Sequence, residues 1–138
     1  MSGRATPYLR ALWAGAIIFV AGIARDQVWH ATHDEFEGTS QQFDAHWLLW
    51  IGFLLVFAVT VLAFLRLGSD ERHPGFAVVL AASAIYLPVT VWHFVAHAND
   101  VDPGLAHVLL AAGDAAILSG VAWTIATSLS QRARPTNA

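Results

Sequence analysis

Histidine and aspartate recur at helical spacing in this sequence, and together these two residue types bind transition metals. Two runs have members at positions i, i+4 and i+7, namely Asp26, His30 and His33, and His93, His97 and Asp100. Residues at this spacing lie on one face of an α-helix. Imidazole suits copper, zinc, iron and nickel, and helical bundles commonly hold metals between facing helices. The spacing therefore predicts metal ligands on two helix faces.

Two further histidines, His46 and His107, stand at the start of long apolar segments. If the helices run alternately up and down, both lie at the same end of the bundle as the two runs. His73 is then expected in a loop at the other end, outside any site. We predict that six residues form the metal site: Asp26, His30, His46, His93, His97 and His107.

Asp114 interrupts the fourth apolar segment, seven residues after His107. A charge at the centre of a membrane span costs about 2.5–3.5 kcal/mol on insertion scales, and such residues are functional candidates by default. The expected partner of this carboxylate is Arg25 or a metal-bound imidazole. We predict that four residues surround and support the ligands: Arg25, His33, Asp100 and Asp114. No catalytic residue is assigned.

The composition is that of a membrane protein. Hydrophobic residues make up 57% of the chain and charged residues 12%, whereas soluble domains carry about 25% charged residues. The absence of cysteine excludes disulfides, thiolate metal sites and cysteine nucleophiles. The expected partner is therefore a lipid bilayer, and no nucleic-acid partner is expected.

Four apolar segments are long enough to cross a bilayer, which requires about 20 residues per helix. They cover about residues 8–31, 45–66, 75–97 and 105–129. The first segment, preceded by Arg4 and Arg10, also resembles a secretory signal peptide, but we expect it to be retained. The predicted fold is all-α: one transmembrane domain over residues 1–138, built as a four-helix up-down-up-down bundle.

Arginine is distributed unevenly between the two predicted sides of the membrane. Six of the seven arginines fall on the side of the termini: Arg4, Arg10, Arg66, Arg72, Arg132 and Arg134. Only Arg25 falls on the other side. Because cytoplasmic loops carry the excess of basic residues, both termini are predicted to be cytoplasmic. The predicted location is the cell (inner) membrane, with the histidine-rich end facing the periplasm or exterior.

The residues around the first pair of ligands resemble a known family. The stretch Asp26-Gln27-Val28-Trp29-His30, followed by an acidic loop and by His46, is similar to the C subunit of the particulate methane and ammonia monooxygenases. In that family an Asp-x-x-Trp-His segment and a histidine at the start of the next helix bind copper. The resemblance implies that Asp26, His30 and His46 bind copper here.

The second half of the chain resembles the same family. Leu87-Pro88 and the following VTVWHFVAH look like the family's Leu-Pro segment, which leads into an Asn-x-x-x-His pair. His93 stands where the family has asparagine, and His97 where it has histidine. His107 is similar to the histidine that opens the next helix. The resemblance covers about residues 9–128 and implies a second copper site at these three histidines.

The resemblance implies a copper-binding subunit of a membrane monooxygenase that oxidises a small, unreactive substrate, such as an alkane or ammonia, with O₂ and a reductant. It also implies partner subunits of two other types, and by analogy a trimer. The residues themselves leave two alternatives open. One is a non-enzymatic protein that handles or senses copper or zinc. The other is a b-type cytochrome with His30 and His97 as haem ligands.

Overall fold

The computed structural model describes residues 5–32, 39–69, 71–99, 101 and 104–133. Within these residues every regular element is an α-helix: α1 (Thr6–Thr32), α2 (Thr39–Arg66), α3 (Pro74–Ala98) and α4 (Gly104–Ala133). All four are long and apolar enough to cross a membrane, which confirms the predicted all-helical class and indicates a multi-pass membrane protein. Helix α2 begins six residues before the predicted segment, because its first residues are polar and an apolar pattern does not detect them.

The helices pack mainly in two pairs, α1 with α2 and α3 with α4, while α2–α3 and α1–α4 touch less. The close approach of α1 and α2 depends on glycine. A side chain at Gly22 would collide with the backbone of Leu49, and one at Gly52 with the backbone of Phe19. Small residues of this kind allow membrane helices to approach closely, so that dispersion contacts hold them together where lipid is as apolar as the helix surface.

An aromatic group joins α1, α2 and α3 in the middle of the bundle. The ring centres of Phe53 and Tyr86 lie 4.7 Å apart, and Phe19 lies 6.2 Å from each of them. Aromatic pairs at such distances add about 0.5–1.5 kcal/mol beyond the burial of their surface. The fully buried side chains around this group include Leu12, Val56, Val79 and Ile117. This core lies directly below the predicted metal ligands at the end of the bundle.

Buried hydroxyl groups in the core bond to their own helices. Thr60 donates to the Val56 carbonyl at 2.7 Å, and Thr124 donates to the Gly120 carbonyl at 2.8 Å. A hydroxyl bonded in this way costs little in an apolar interior, because it leaves no donor unsatisfied. Large apolar side chains such as Leu65, Ile85 and Val108 are instead mostly exposed on the outside of the bundle. Such a surface suits contact with lipid.

Candidate metal centre

The first group of predicted ligands comes from α1 and α2. Asp26 Oδ1 lies 3.1 Å from His46 Nε2 and 3.7 Å from His30 Nε2. Asp26 and His30 share one face of α1 because they are four residues apart, as the sequence predicts. The three residues place one ligand atom each within 4.8 Å of the others. A carboxylate and two imidazoles thus converge on one point.

The second group comes from α3 and α4. His93 Nε2 lies 2.8 Å from His107 Nε2, and the His93 ring centre lies 4.6 Å from those of His97 and His107. His93 and His97 are four residues apart on α3, and His107 lies in the first turn of α4. These three residues also place one ligand atom each within 4.8 Å of the others. All six predicted metal ligands therefore belong to one of two three-residue groups.

The two groups adjoin each other. The ring centres of His46 and His93 are 5.6 Å apart, and those of His30 and His107 are 5.9 Å apart. These distances are close to the 5.8 Å between His30 and His46 within the first group. Asp26, His30, His46, His93, His97 and His107 thus form a continuous set, the six-residue cluster, to which all four helices contribute.

The donor set fits a transition-metal ion. Two nitrogens bound to one ion at about 2.0–2.1 Å lie about 2.8–3.4 Å apart for bond angles between 90° and tetrahedral. The 2.8 Å between His93 Nε2 and His107 Nε2 falls in that range. Two neutral imidazole nitrogens at this separation need a shared hydrogen or a cation, since two lone pairs repel. Copper and zinc both accept imidazole and carboxylate ligands.

The cluster is buried on one side and open on the other. Asp26, His46 and His93 are buried, His30 and His97 are half-buried, and His107 is exposed. Burying a carboxylate is costly unless it is paired or binds a metal. The cluster therefore combines a buried carboxyl group with an edge that is exposed on the outside of the bundle.

A cavity of about 100 Å³ lies within the cluster and extends beneath it. Its wall includes five cluster residues and, deeper in the bundle, Asp114, Tyr86 and Thr90. The Tyr86 hydroxyl interacts with the Asp114 carboxyl group. Asp114 Oδ1 itself is buried and makes no hydrogen bond. This oxygen therefore retains acceptor capacity towards a molecule in the cavity.

Arg25 stabilises the α1–α2 pair instead of reaching Asp114. Its Nη1 donates to the Ala45 carbonyl at 2.7 Å and to the Asp44 carbonyl, and the guanidinium lies over the Trp47 ring. Arg25 therefore supports the helix that carries His46. The carboxyl group of Asp114 faces Tyr86 instead of Arg25. Of the other predicted supporting residues, His33 and Asp100 lie outside the described residues.

Two residues near the cluster were not among the predicted site residues. The Trp50 ring stacks on His46 with ring centres 6.2 Å apart, and Tyr86 interacts with Asp114. Trp50 follows His46 by four residues, and Tyr86 precedes His93 by seven, so helical spacing offered a signal for both. That signal was weak, because tryptophan near a membrane boundary and tyrosine in a helix core are common without a site.

We compared the chain with protein families, with curated proteins and with solved structures, and no match was found.

Proposed function

We propose that this protein is an integral membrane protein that binds copper at the six-residue cluster. The observation that carries this proposal is the convergence of five imidazoles and one carboxylate, drawn from four helices, into two adjoining groups. Each group offers three ligand atoms within 4.8 Å. Ligands that are already close together pay little ordering cost when a metal binds.

Copper is favoured over other metals by the donor chemistry. Divalent copper stands at the top of the affinity order for nitrogen and oxygen ligands, and the chain has no thiolate to select other metals. Asp26, His30 and His46 would hold one ion, and His93, His97 and His107 a second. A bound copper would supply redox chemistry towards O₂. The residues of this chain would hold the ion, and Asp114 would accept a hydrogen bond from a molecule in the cavity.

We further propose that the protein is a relative of the monooxygenase C subunit. The resemblance in the Asp-x-x-Trp-His segment and the Leu-Pro segment supports this proposal. The positions of Asp26, His30 and His46 also support it, because the residues that match the family's copper ligands lie in one group. The proposed substrate class is a small, unreactive molecule such as an alkane or ammonia. Partner subunits, or a trimer of this chain, would cover part of the exposed apolar surface.

The proposed topology is up-down-up-down, with both termini in the cytoplasm. Paired contacts support opposite directions for α1 and α2, because Gly15 approaches Val56 whereas Gly22 approaches Leu49. For α3 and α4, Gly75 approaches Gly120 whereas His93 contacts His107. The arginine distribution supports a periplasmic or exterior position for the cluster, in the cell membrane.

A non-enzymatic role in metal handling is the second candidate. The exposed edge at His107 favours it, because an ion captured from outside can also leave by that route. Zinc would suit this role as well as copper. A b-type cytochrome is disfavoured by the geometry. Neighbouring imidazole rings lie 4.6–5.9 Å apart around a cavity of about 100 Å³, which is too small for a haem.

Elemental mass spectrometry tests the proposal on protein purified in mild detergent without chelator. The variant is His30→Ala/His97→Ala, which removes one ligand from each group. The control is His73→Asn, which changes a histidine at the other end of α3. We expect about two copper ions per chain, one for each group, lost in the double variant and retained in the control. Zinc in place of copper would favour metal handling, and no metal after copper addition would overturn the proposal.

A further inference from the structure

A second cavity adjoins the cluster cavity on its α2–α3 side. This α2–α3 pocket has a volume of about 310 Å³. Phe53 and Leu54 of α2 line it, as do Leu87, Val91 and Phe94 of α3. Trp50 and Thr90 complete its wall, and the same two residues line the cluster cavity. Two side chains therefore form a partition between an apolar pocket and a polar one.

The α2–α3 pocket opens on the outer surface of the bundle. Leu54 is 53% exposed and Val91 63% exposed, whereas Phe53 at the inner side is buried. The weak packing of α2 against α3 explains why space remains between them. In a bilayer the opening faces acyl chains, in which apolar molecules are more concentrated than in water.

On the pocket side, the partition presents no polar surface to a ligand. The Thr90 hydroxyl donates to the Tyr86 carbonyl at 2.8 Å. The Trp50 ring is held between His46, at 6.2 Å, and Phe94, at 6.0 Å. All other lining residues are hydrocarbon or aromatic. Apolar cavities of about 150 Å³ stay dry and bind benzene or xenon, so a larger one can hold a molecule of a few carbon atoms.

We propose that the α2–α3 pocket binds a small apolar molecule, a dissolved gas or a short hydrocarbon, that enters from the bilayer beside the six-residue cluster. Trp50 and Thr90 separate this molecule from the cluster cavity and set the size that can pass. The inference rests on the proposed function, since the pocket matters as the approach to a metal site. It goes further by assigning the route, the pocket and the residues that determine size selectivity.

Xenon is the probe for this pocket, because it is apolar, small and located by anomalous scattering. Crystals of the lipid-reconstituted protein are pressurised with xenon, and the copper content of the same preparation is measured. We expect xenon between α2 and α3, in contact with Leu87 and Val91. The larger apolar groove between α1 and α4, of about 580 Å³ and lined by residues such as Trp13 and Leu118, serves as an internal reference in every crystal.

Two matched variants make the test specific. Leu87→Trp fills the pocket, and Leu62→Trp adds the same bulk on the exposed face of α2, at a residue that does not line the pocket. Xenon in the α2–α3 pocket should fall at least tenfold in Leu87→Trp and stay unchanged in Leu62→Trp, with the α1–α4 reference unchanged in both. In Trp50→Ala the partition is opened, and we expect xenon to appear beside His46 as well.

The outcomes separate this inference from the proposed function. Copper binding without xenon in the α2–α3 pocket overturns the inference and leaves the proposed function standing. Xenon binding without copper supports the pocket and overturns the proposed function. Acyl-chain density that fills the pocket and excludes xenon overturns the inference, because the occupant is then a lipid. Equal xenon in wild type and Leu87→Trp overturns it too.

Discussion

His73 and the six-residue cluster lie at opposite ends of α3, and they use imidazole nitrogens differently. His73 Nδ1 accepts a hydrogen bond from the Gly75 backbone at 3.0 Å, so that in the neutral ring Nε2 carries the hydrogen and donates to Thr127 Oγ1 at 2.5 Å. The ring also packs on Trp123. His73 thus caps α3 and joins it to α4. In the cluster, imidazole nitrogens face a carboxylate and one another.

A histidine that supports the fold has different surroundings from one whose ring nitrogens are available to a metal. The nitrogens of His73 bond to a backbone group and a threonine that helix formation brings there. The cluster instead places His93 Nε2 against His107 Nε2 and buries Asp26 among imidazoles. The His93–His107 contact adds little to the fold, because two like groups face each other in a poorly solvated site. We expect the cluster to become more stable when a cation binds between these groups.

The largest expected effect is stabilisation of the folded protein by bound copper. Copper at about 1,000 times its dissociation constant should stabilise the folded state by about 4 kcal/mol, because it binds the folded cluster and not the unfolded chain. Thermal unfolding followed by circular dichroism measures the effect. His73→Asn should show the same stabilisation by copper. Equal stabilisation of His30→Ala/His97→Ala would show that copper binds elsewhere.

Asp114→Asn is expected to weaken copper binding about tenfold, or about 1.4 kcal/mol, without changing the number of ions bound. The substitution keeps the shape of the side chain and removes a negative charge about 10 Å deeper than His107. Competitive titration against a chelator measures the affinity. Thr60→Val, which changes a buried hydroxyl elsewhere in the core, is the control. An unchanged affinity would show that Asp114 has no influence on the ion.

At the other end of α3, His73→Ala should destabilise the protein by about 1 kcal/mol and leave the metal content unchanged. The loss reflects the cap on Gly75 and the bond to Thr127. His73→Asn should recover part of this loss, because asparagine is a good helix cap. Chemical unfolding of the metal-free proteins measures both. A fall in bound copper in His73→Ala would show that His73 affects the metal site as well as the fold.

The smallest effect concerns pH. Burial lowers the pKa of His73 below its ordinary value of 6.5, so the folded state favours the neutral ring. As the pH falls, the unfolded chain takes up this proton first. The contribution of His73 to stability is therefore complete above pH 6.5 and decreases as the pH falls towards the lowered value. Protonation also removes the lone pair that accepts from Gly75.

The measurement compares the stability of metal-free wild type with that of His73→Asn between about pH 7.5 and pH 5. All other ionisable groups are the same in both proteins, so the difference between them isolates His73. Wild type should lose stability relative to the variant as the medium is acidified. A difference that is independent of pH would mean that His73 does not cap α3 through a neutral nitrogen.

Much of the fold, and the pairing of cluster residues within one helix, could be predicted from the sequence alone. Bilayer thickness sets a minimum length of apolar sequence, so the four helices are evident as four segments. The spacing of four residues between Asp26 and His30, and between His93 and His97, places each pair on one helix face. Both relations are local, since they depend on residues within a turn or a span of each other.

How these helix faces meet depends on the tertiary packing of the bundle. The rotation of each helix about its axis depends on close approaches such as Gly22 on Leu49, which no periodicity specifies. Those rotations bring His46 beside His93, turn Arg25 towards α2 and set Tyr86 against Asp114. They also leave the α2–α3 pocket behind Trp50. Distances between helices arise from packing over the whole bundle, and local sequence carries little information about them.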